Sequence, residues 1–180
     1  MMETRLHPTE LQIRELPNQA TRITGYAVYW NKPAVITDNT GRKFRETFRP
    51  NSFTFDEVFG LVNHDIRNIL ATRSAGLMTV EQDQDGLRFE ISLPDTTLGR
   101  DTLSNVRAKN YKGASVGFNV IEDSWSFKGE PSVDILRAEL KEISLTPIPA
   151  HTSTVSVRCV PLTNMSDKRR QLYKIMLPSE

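Results

Sequence analysis

One cysteine, Cys159, stands in a chain of 180 residues. An intramolecular disulfide is therefore excluded, and so is a cysteine-rich zinc site. The composition suits a reducing compartment. Charge of one sign is equally scarce. Lys and Arg number 23 against 22 Asp and Glu, a formal net charge of +1. No long-range field is expected from that balance, and nucleic acid is not expected as a partner. No apolar run approaches the roughly 18 residues of a membrane span, so no membrane partner is expected either. Met1-Met2-Glu3-Thr4-Arg5 leads into no apolar segment, which argues against a secretory signal. Delivery to any particular place would then depend on contact with another protein. Internal repeats and low-complexity tracts are absent as well.

What remains is the composition of an ordinary folded domain, with 38% hydrophobic and 25% charged residues. Three stretches are expected: an amino-terminal arm (1–19) punctuated by Pro8 and Pro17, a domain (20–160), and a polar, basic tail (161–180). Ile23 and Gly25-Tyr26-Ala27-Val28-Tyr29-Trp30 form a β-prone opening. Phe44, Glu46 and Phe48 share one face of a strand that Pro50-Asn51-Ser52 ends. Ser52 is an acceptable N-cap, and residues 53–59 are expected as a short helix or turn. Leu61-Val62 then runs into a polar turn at Asn63-His64-Asp65. Met78 and Val80 alternate with polar neighbours before Asp83-Gln84-Asp85-Gly86, and Leu87, Phe89, Ile91 and Leu93 resume the alternation. That pattern predicts a hairpin. Leu98, Leu103 and Val106 predict a helix over 97–109. Strands are expected again at 114–120, 133–136, 140–145 and 154–160. Many short strands around one or two helices imply a mainly β fold, read here as a closed or half-closed antiparallel barrel.

Three residues could carry chemistry. His64 follows an apolar pair and precedes a turn, which half-buries its ring. A lone histidine of this kind is more often structural than catalytic and needs a partner to be read otherwise. His7 and His151 sit in looser surroundings. Ser115 lies in Gly113-Ala114-Ser115-Val116-Gly117-Phe118. Glycines beside a nucleophile let a substrate carbonyl approach and free backbone N–H groups for an oxyanion. The plainer alternative is a strand with glycines at a bulge. The Gly-x-Ser-x-Gly spelling also matches the nucleophile elbow of α/β-hydrolases, but no helix pattern follows Gly117 and no βαβ alternation surrounds it. Glu142 is the third. Strand alternation puts it on one face with Leu140 and Ser144, where a carboxylate needs a partner such as a histidine N–H. A solvated face of an edge strand is the alternative.

Taken together, these segments resemble the tailed-phage prohead (capsid maturation) proteases, which are similar to herpesvirus assemblins. The resemblance covers roughly residues 20–160. It rests on Gly25-Tyr26-Ala27, Arg49-Pro50-Asn51-Ser52-Phe53, Val62-Asn63-His64-Asp65 and Asp85-Gly86-Leu87. Its strongest marks are Gly113-Ala114-Ser115-Val116-Gly117-Phe118 and Glu142-Ile143-Ser144-Leu145 leading to Pro149-Ala150. The chain departs from the family pattern at Leu70-Ala71-Thr72, at Lys109-Asn110-Tyr111-Lys112 and at Pro50-Asn51-Ser52. Those departures bear on substrate and oxyanion contacts, not on the three chemical residues.

The resemblance implies an assemblin-like antiparallel β-barrel flanked by helices, and a serine endopeptidase with a Ser115, His64 and Glu142 triad. It implies no metal or cofactor. The substrates would be the major capsid protein and a scaffolding segment, with self-cleavage and self-association expected. The place of action would be the interior of the immature capsid, in the host cytoplasm during assembly. The competing expectation is a non-catalytic β-barrel scaffolding or virion structural protein. A nucleic-acid-binding barrel would need a basic and aromatic stripe that the sequence lacks.

Overall fold

Backbone hydrogen bonding organises this chain around a single long strand. The structure, a computed structural model, describes residues 2–7, 11–15, 21–38 and 41–147. The opening strands are β1 (Glu3–His7), β2 (Gln12–Glu15) and β3 (Thr21–Tyr29). Next come β4 (Ala34–Thr37), β5 (Lys43–Phe48), β6 (Phe53–Thr54), β7 (Phe59–Val62) and β8 (Asp65–Thr72). The hairpin of β9 (Met78–Gln82) and β10 (Gly86–Ser92) precedes α1 (Thr97–Arg107). The long strands β11 (Gly113–Ser126) and β12 (Ser132–Thr146) complete the described chain.

Two sheets result. The smaller is antiparallel in the order β2-β3-β10-β9. The larger has eight strands, and β12 is its spine. One edge of β12 pairs antiparallel with β11 along nearly its whole length. Its other edge takes three short strands in turn, all parallel: β5 at Ser132 to Ile135, β6 at Ala138 and Glu139, β7 at Glu142 to Leu145. Strands as short as β6 and β7 do not persist alone. Each is held because its neighbours in the chain lie along the same 15-residue strand. The core lies against β11 and β12. Phe48 stacks on Phe53 with centroids 5.2 Å apart, and Phe118 meets both edge-on at 5.2 and 5.9 Å.

Mainly β is the right class, and no closed barrel is found among the described residues. The described residues make two separate sheets, and the larger is mixed rather than antiparallel. The described residues contain one helix, α1. Its start is fixed by Thr96, whose side chain accepts from the Gly99 amide at 3.1 Å. Gly99, Thr102 and Val106 are the buried residues of α1, and Leu98 packs partly buried against the core.

Residues 53–59 are strand and bend, not helix. The Phe53 amide donates to Gln82 Oε1 at 3.0 Å and its carbonyl accepts from Gln82 Nε2 at 2.9 Å. A side chain from the other sheet thus takes the groups a helix would have used. The segments expected at 133–136 and 140–145 are one strand, and β8 was not foreseen. Its exposed Ile66 and Ile69 blur the alternation. The strand expected at 154–160 and the basic tail lie outside the described residues.

The β9–β10 turn carries a titratable lock. Tyr26 Oη donates to Asp83 Oδ2 at 2.7 Å, and the amides of Asp85 and Gly86 donate to Oδ1 at 2.9 and 3.0 Å. Trp30 Nε1 donates to the Asp83 carbonyl at 2.8 Å. The hydrogen bond to Asp83, reinforced by burial, pushes the Tyr26 hydroxyl up to about 12. For Asp83 burial acts upward, yet the bonds from Tyr26 and the two amides leave its carboxyl below the ordinary value. A carboxyl lowered in the folded state stabilises the fold above its unfolded pKa of about 4. That contribution is lost as pH falls through the folded value. Asp83→Asn should therefore unfold at lower urea than the parent at pH 7, and the gap should narrow as pH drops below about 4.

Candidate active site

Strand pairing puts the three candidate residues on one patch of the larger sheet. Ser115 on β11 lies opposite Ser144 on β12, and Gly117 lies opposite Glu142. On the far edge of β12, β7 runs in register from Phe59 beside Glu142 to Val62 beside Leu145. The chain then turns back at once, because Val62 pairs with Asp65 across β7 and β8. Asn63 and His64 are the two residues of that turn, at φ 53° and 59°. Positive φ at both central positions is the geometry whose twist suits a two-residue hairpin. Asn tolerates it. A histidine there carries a strain of about 1 kcal/mol, the sort that surrounding structure must hold in place.

Two hydrogen bonds hold it. The Asn63 amide donates to the Leu145 carbonyl and the His64 amide to Ser144 Oγ, both at 3.1 Å. Ser144 is fully buried, so the hairpin tip is tied to the interior of β12.

The His64 ring meets Glu142. Nδ1 and Oε1 are in hydrogen-bond contact. A carboxylate can only accept, so Nδ1 carries a proton, and in the neutral ring the lone pair then falls on Nε2. Only 5% of the Glu142 side chain is exposed, against 27% for His64. A carboxylate that deeply placed needs its partner. The neighbouring Asp65 is not the one engaged. It accepts from the Arg67 amide at 2.9 Å and from the Arg67 guanidinium, which holds its carboxyl below the ordinary range.

Glu142 reaches His64 because Gly117 has no side chain. A methyl group at Gly117 would sit 2.8 Å from Glu142 Oε1 and 2.9 Å from its Cδ. The expectation that Glu142 shares a face with Leu140 is corrected. The register slips between Gly117 and Phe118, so Leu140 pairs with Phe118 in the core while Glu142 pairs with Gly117. One extra residue on β12, Lys141, turns the carboxylate to the opposite face. Nor is β12 an edge strand, so the solvated alternative for Glu142 falls away.

Ser115 sits inside β11 and is fully buried. β11 runs on past it and leads into β12, with no helix between, which agrees with setting aside the hydrolase elbow. His64 and Glu142 are thus in contact, and Ser115 lies opposite the serine that holds the His64 amide. His7 falls in β1, while His151 lies outside the described residues. Two contributors were missed in the sequence, Ser144 as an anchor and Gly117 as a clearance. Each stands two residues from a recognised one, the strand period that puts them on the same face. A cavity of about 430 Å³ opens elsewhere, between Leu11 and Ile13 of the β2 side and Val106, Arg107 and Tyr111. None of its lining residues belongs to this patch.

A family model described as caudovirus prohead serine protease matches residues 9–168, a span that includes His64, Ser115 and Glu142. No curated protein and no solved structure matches the chain.

Gly117→Ala should leave the far-ultraviolet circular dichroism unchanged while displacing the carboxylate. By NMR the His64 Nδ1 proton should then lose its protection from solvent exchange. Ser144→Ala should lower stability by about 1 kcal/mol, the usual weight of one such hydrogen bond, and broaden the His64 amide signal.

Proposed function

The chain belongs to the caudovirus prohead serine protease family, and from that premise we propose that it cleaves peptide bonds with Ser115, His64 and Glu142 acting as a triad. Membership carries serine peptidase activity and a protease role in bacteriophage capsid maturation, with capsid proteins as substrates and the procapsid as the place of action. The finer assignment of residues is supported by one observation above all. His64 and Glu142 form a hydrogen-bonded pair at the end of β7, one strand away from Ser115.

The chemistry follows from the atoms available. Ser115 Oγ attacks the carbonyl carbon of the scissile peptide as His64 Nε2 takes the hydroxyl proton. Glu142 holds Nδ1–H, so the ring keeps the tautomer with Nε2 free, and its charge offsets the imidazolium that forms. Backbone N–H groups near the glycines flanking Ser115 are the natural donors to the oxyanion. Collapse expels the amine, which receives the proton from Nε2. Water then attacks the acyl-enzyme by the same route in reverse, releasing the new carboxylate and restoring Ser115. The preferred substrates are the major capsid protein and the scaffolding segment, with self-cleavage in the tail beyond Pro161.

Co-expression with the neighbouring capsid gene and intact-mass analysis test the assignment. Ser115→Ala and His64→Ala should lower processing by about 10⁴-fold or more, and Glu142→Ala should also lower it strongly. Processing that persists in Ser115→Ala would remove the nucleophile assignment. Assembled shells with no cleavage by the parent protein would favour a non-catalytic scaffolding role.

A further inference from the structure

Ser115 is fully buried, yet acyl transfer requires a peptide carbonyl to come within about 3–3.5 Å of its hydroxyl. Some element near Ser115 must therefore give way to the substrate. β11 has two edges. Along one, β12 pairs from Gly113 to Ser126, and β12 also carries β5, β6 and β7, so that edge cannot open without dismantling the sheet. The other edge holds β1, antiparallel, from Glu3 opposite Phe118 to His7 opposite Ala114. Leu6 is the residue opposite Ser115.

β1 differs from the other neighbours of this patch. It is five residues long, and among the described residues it pairs with β11 alone. It also precedes the residues that the family model matches, which begin at residue 9. A peptide recognised by strand addition needs what β1 now uses: a row of β11 backbone groups beside the nucleophile. We propose that the β11 edge from Ala114 to Phe118 is the binding site for an extended segment of the capsid or scaffolding substrate. β1 occupies it in the resting protein as a substrate-like strand in cis. The inference rests on the protease reading above. Substrate enters by exchanging with β1, pairing antiparallel so that a substrate residue takes the position of Leu6 across from Ser115. Cleavage then depends on a substrate concentrated enough to compete with a strand of the same chain, a condition that packing inside an immature shell supplies.

Successive amides of an edge strand point alternately to its partner and to solvent, so Arg5→Pro and Leu6→Pro between them must remove a ladder hydrogen bond. The full chain bearing either change is treated with a fluorophosphonate, which Ser115 Oγ attacks at phosphorus with loss of fluoride. At least one variant should label about tenfold faster than the parent, and a synthetic peptide of residues 2–7 added in excess should slow it again. Equal or slower labelling of both, at unchanged thermal unfolding, overturns the inference while leaving the protease intact. Absence of labelling in every form removes the protease reading and the inference with it. A second measurement covers variants that fold poorly. In full-length Ser115→Ala held with its uncleaved capsid protein, amides of Glu3–His7 should exchange faster than in the free protein while those of β11 stay protected. Unchanged protection of β1 in that complex would overturn the proposal.

Discussion

A strand of 15 residues exposes donors and acceptors along two edges, and nearly all of them must be paired where the strand is buried. In this protein β11 satisfies one edge of β12. The other edge is satisfied piecemeal by a single stretch of chain that touches β12 three times between Lys43 and Val62. From Phe48 to Phe53 the chain takes five steps while β12 advances three, from Ile135 to Ala138. From Thr54 to Phe59 it again takes five against the three from Glu139 to Glu142. The surplus residues bulge out as turns, and the left-handed Asn51 marks the first of them. The running register delivers Val62 to Leu145, and so sets the turn that follows, with His64, beside Glu142 and Ser144.

The local choices around that turn oppose stability and favour a defined geometry. His64 sits in a left-handed conformation that Gly or Asn would adopt more easily. Glu142 is withdrawn from water beside an uncharged glycine, and Ser144 is buried to accept a single amide. Each feature alone is unfavourable or neutral. Together they fix an imidazole against a carboxylate, with its second nitrogen turned away from that carboxylate. Natural sequences concentrate strain of this kind at sites of chemistry, where neighbouring structure over-determines it.

Most strands were legible because their side chains alternate. Leu87, Phe89 and Ile91 are buried as expected, and Phe44, Glu46 and Phe48 share a buried face. Where reading by period failed, a non-local partner had intervened. Residues 53–59 suggest a short helix or turn beside Ser52, but Gln82 and β12 claim the backbone of Phe53 and Thr54 as strand. Leu140 and Glu142 look like neighbours on one face until the slip at Lys141 separates them. The barrel was inferred from the number of short strands, and strand number does not say which edges meet.

Residue chemistry and short spacings, which need no knowledge of the fold, determined the mainly β class, the β9–β10 hairpin, the helix at α1 and the choice of His64, Ser115 and Glu142 as candidates. They also carried the family resemblance, because motif order along a chain survives without coordinates. Tertiary structure alone decided that β12 lies at the centre, that Gly117 clears the path of Glu142, that Ser144 anchors His64 and that β1 lies beside Ser115. These are pairings between residues up to about a hundred positions apart. They depend on register, and a shift of one residue in any of them would turn every side chain of that strand to the other face.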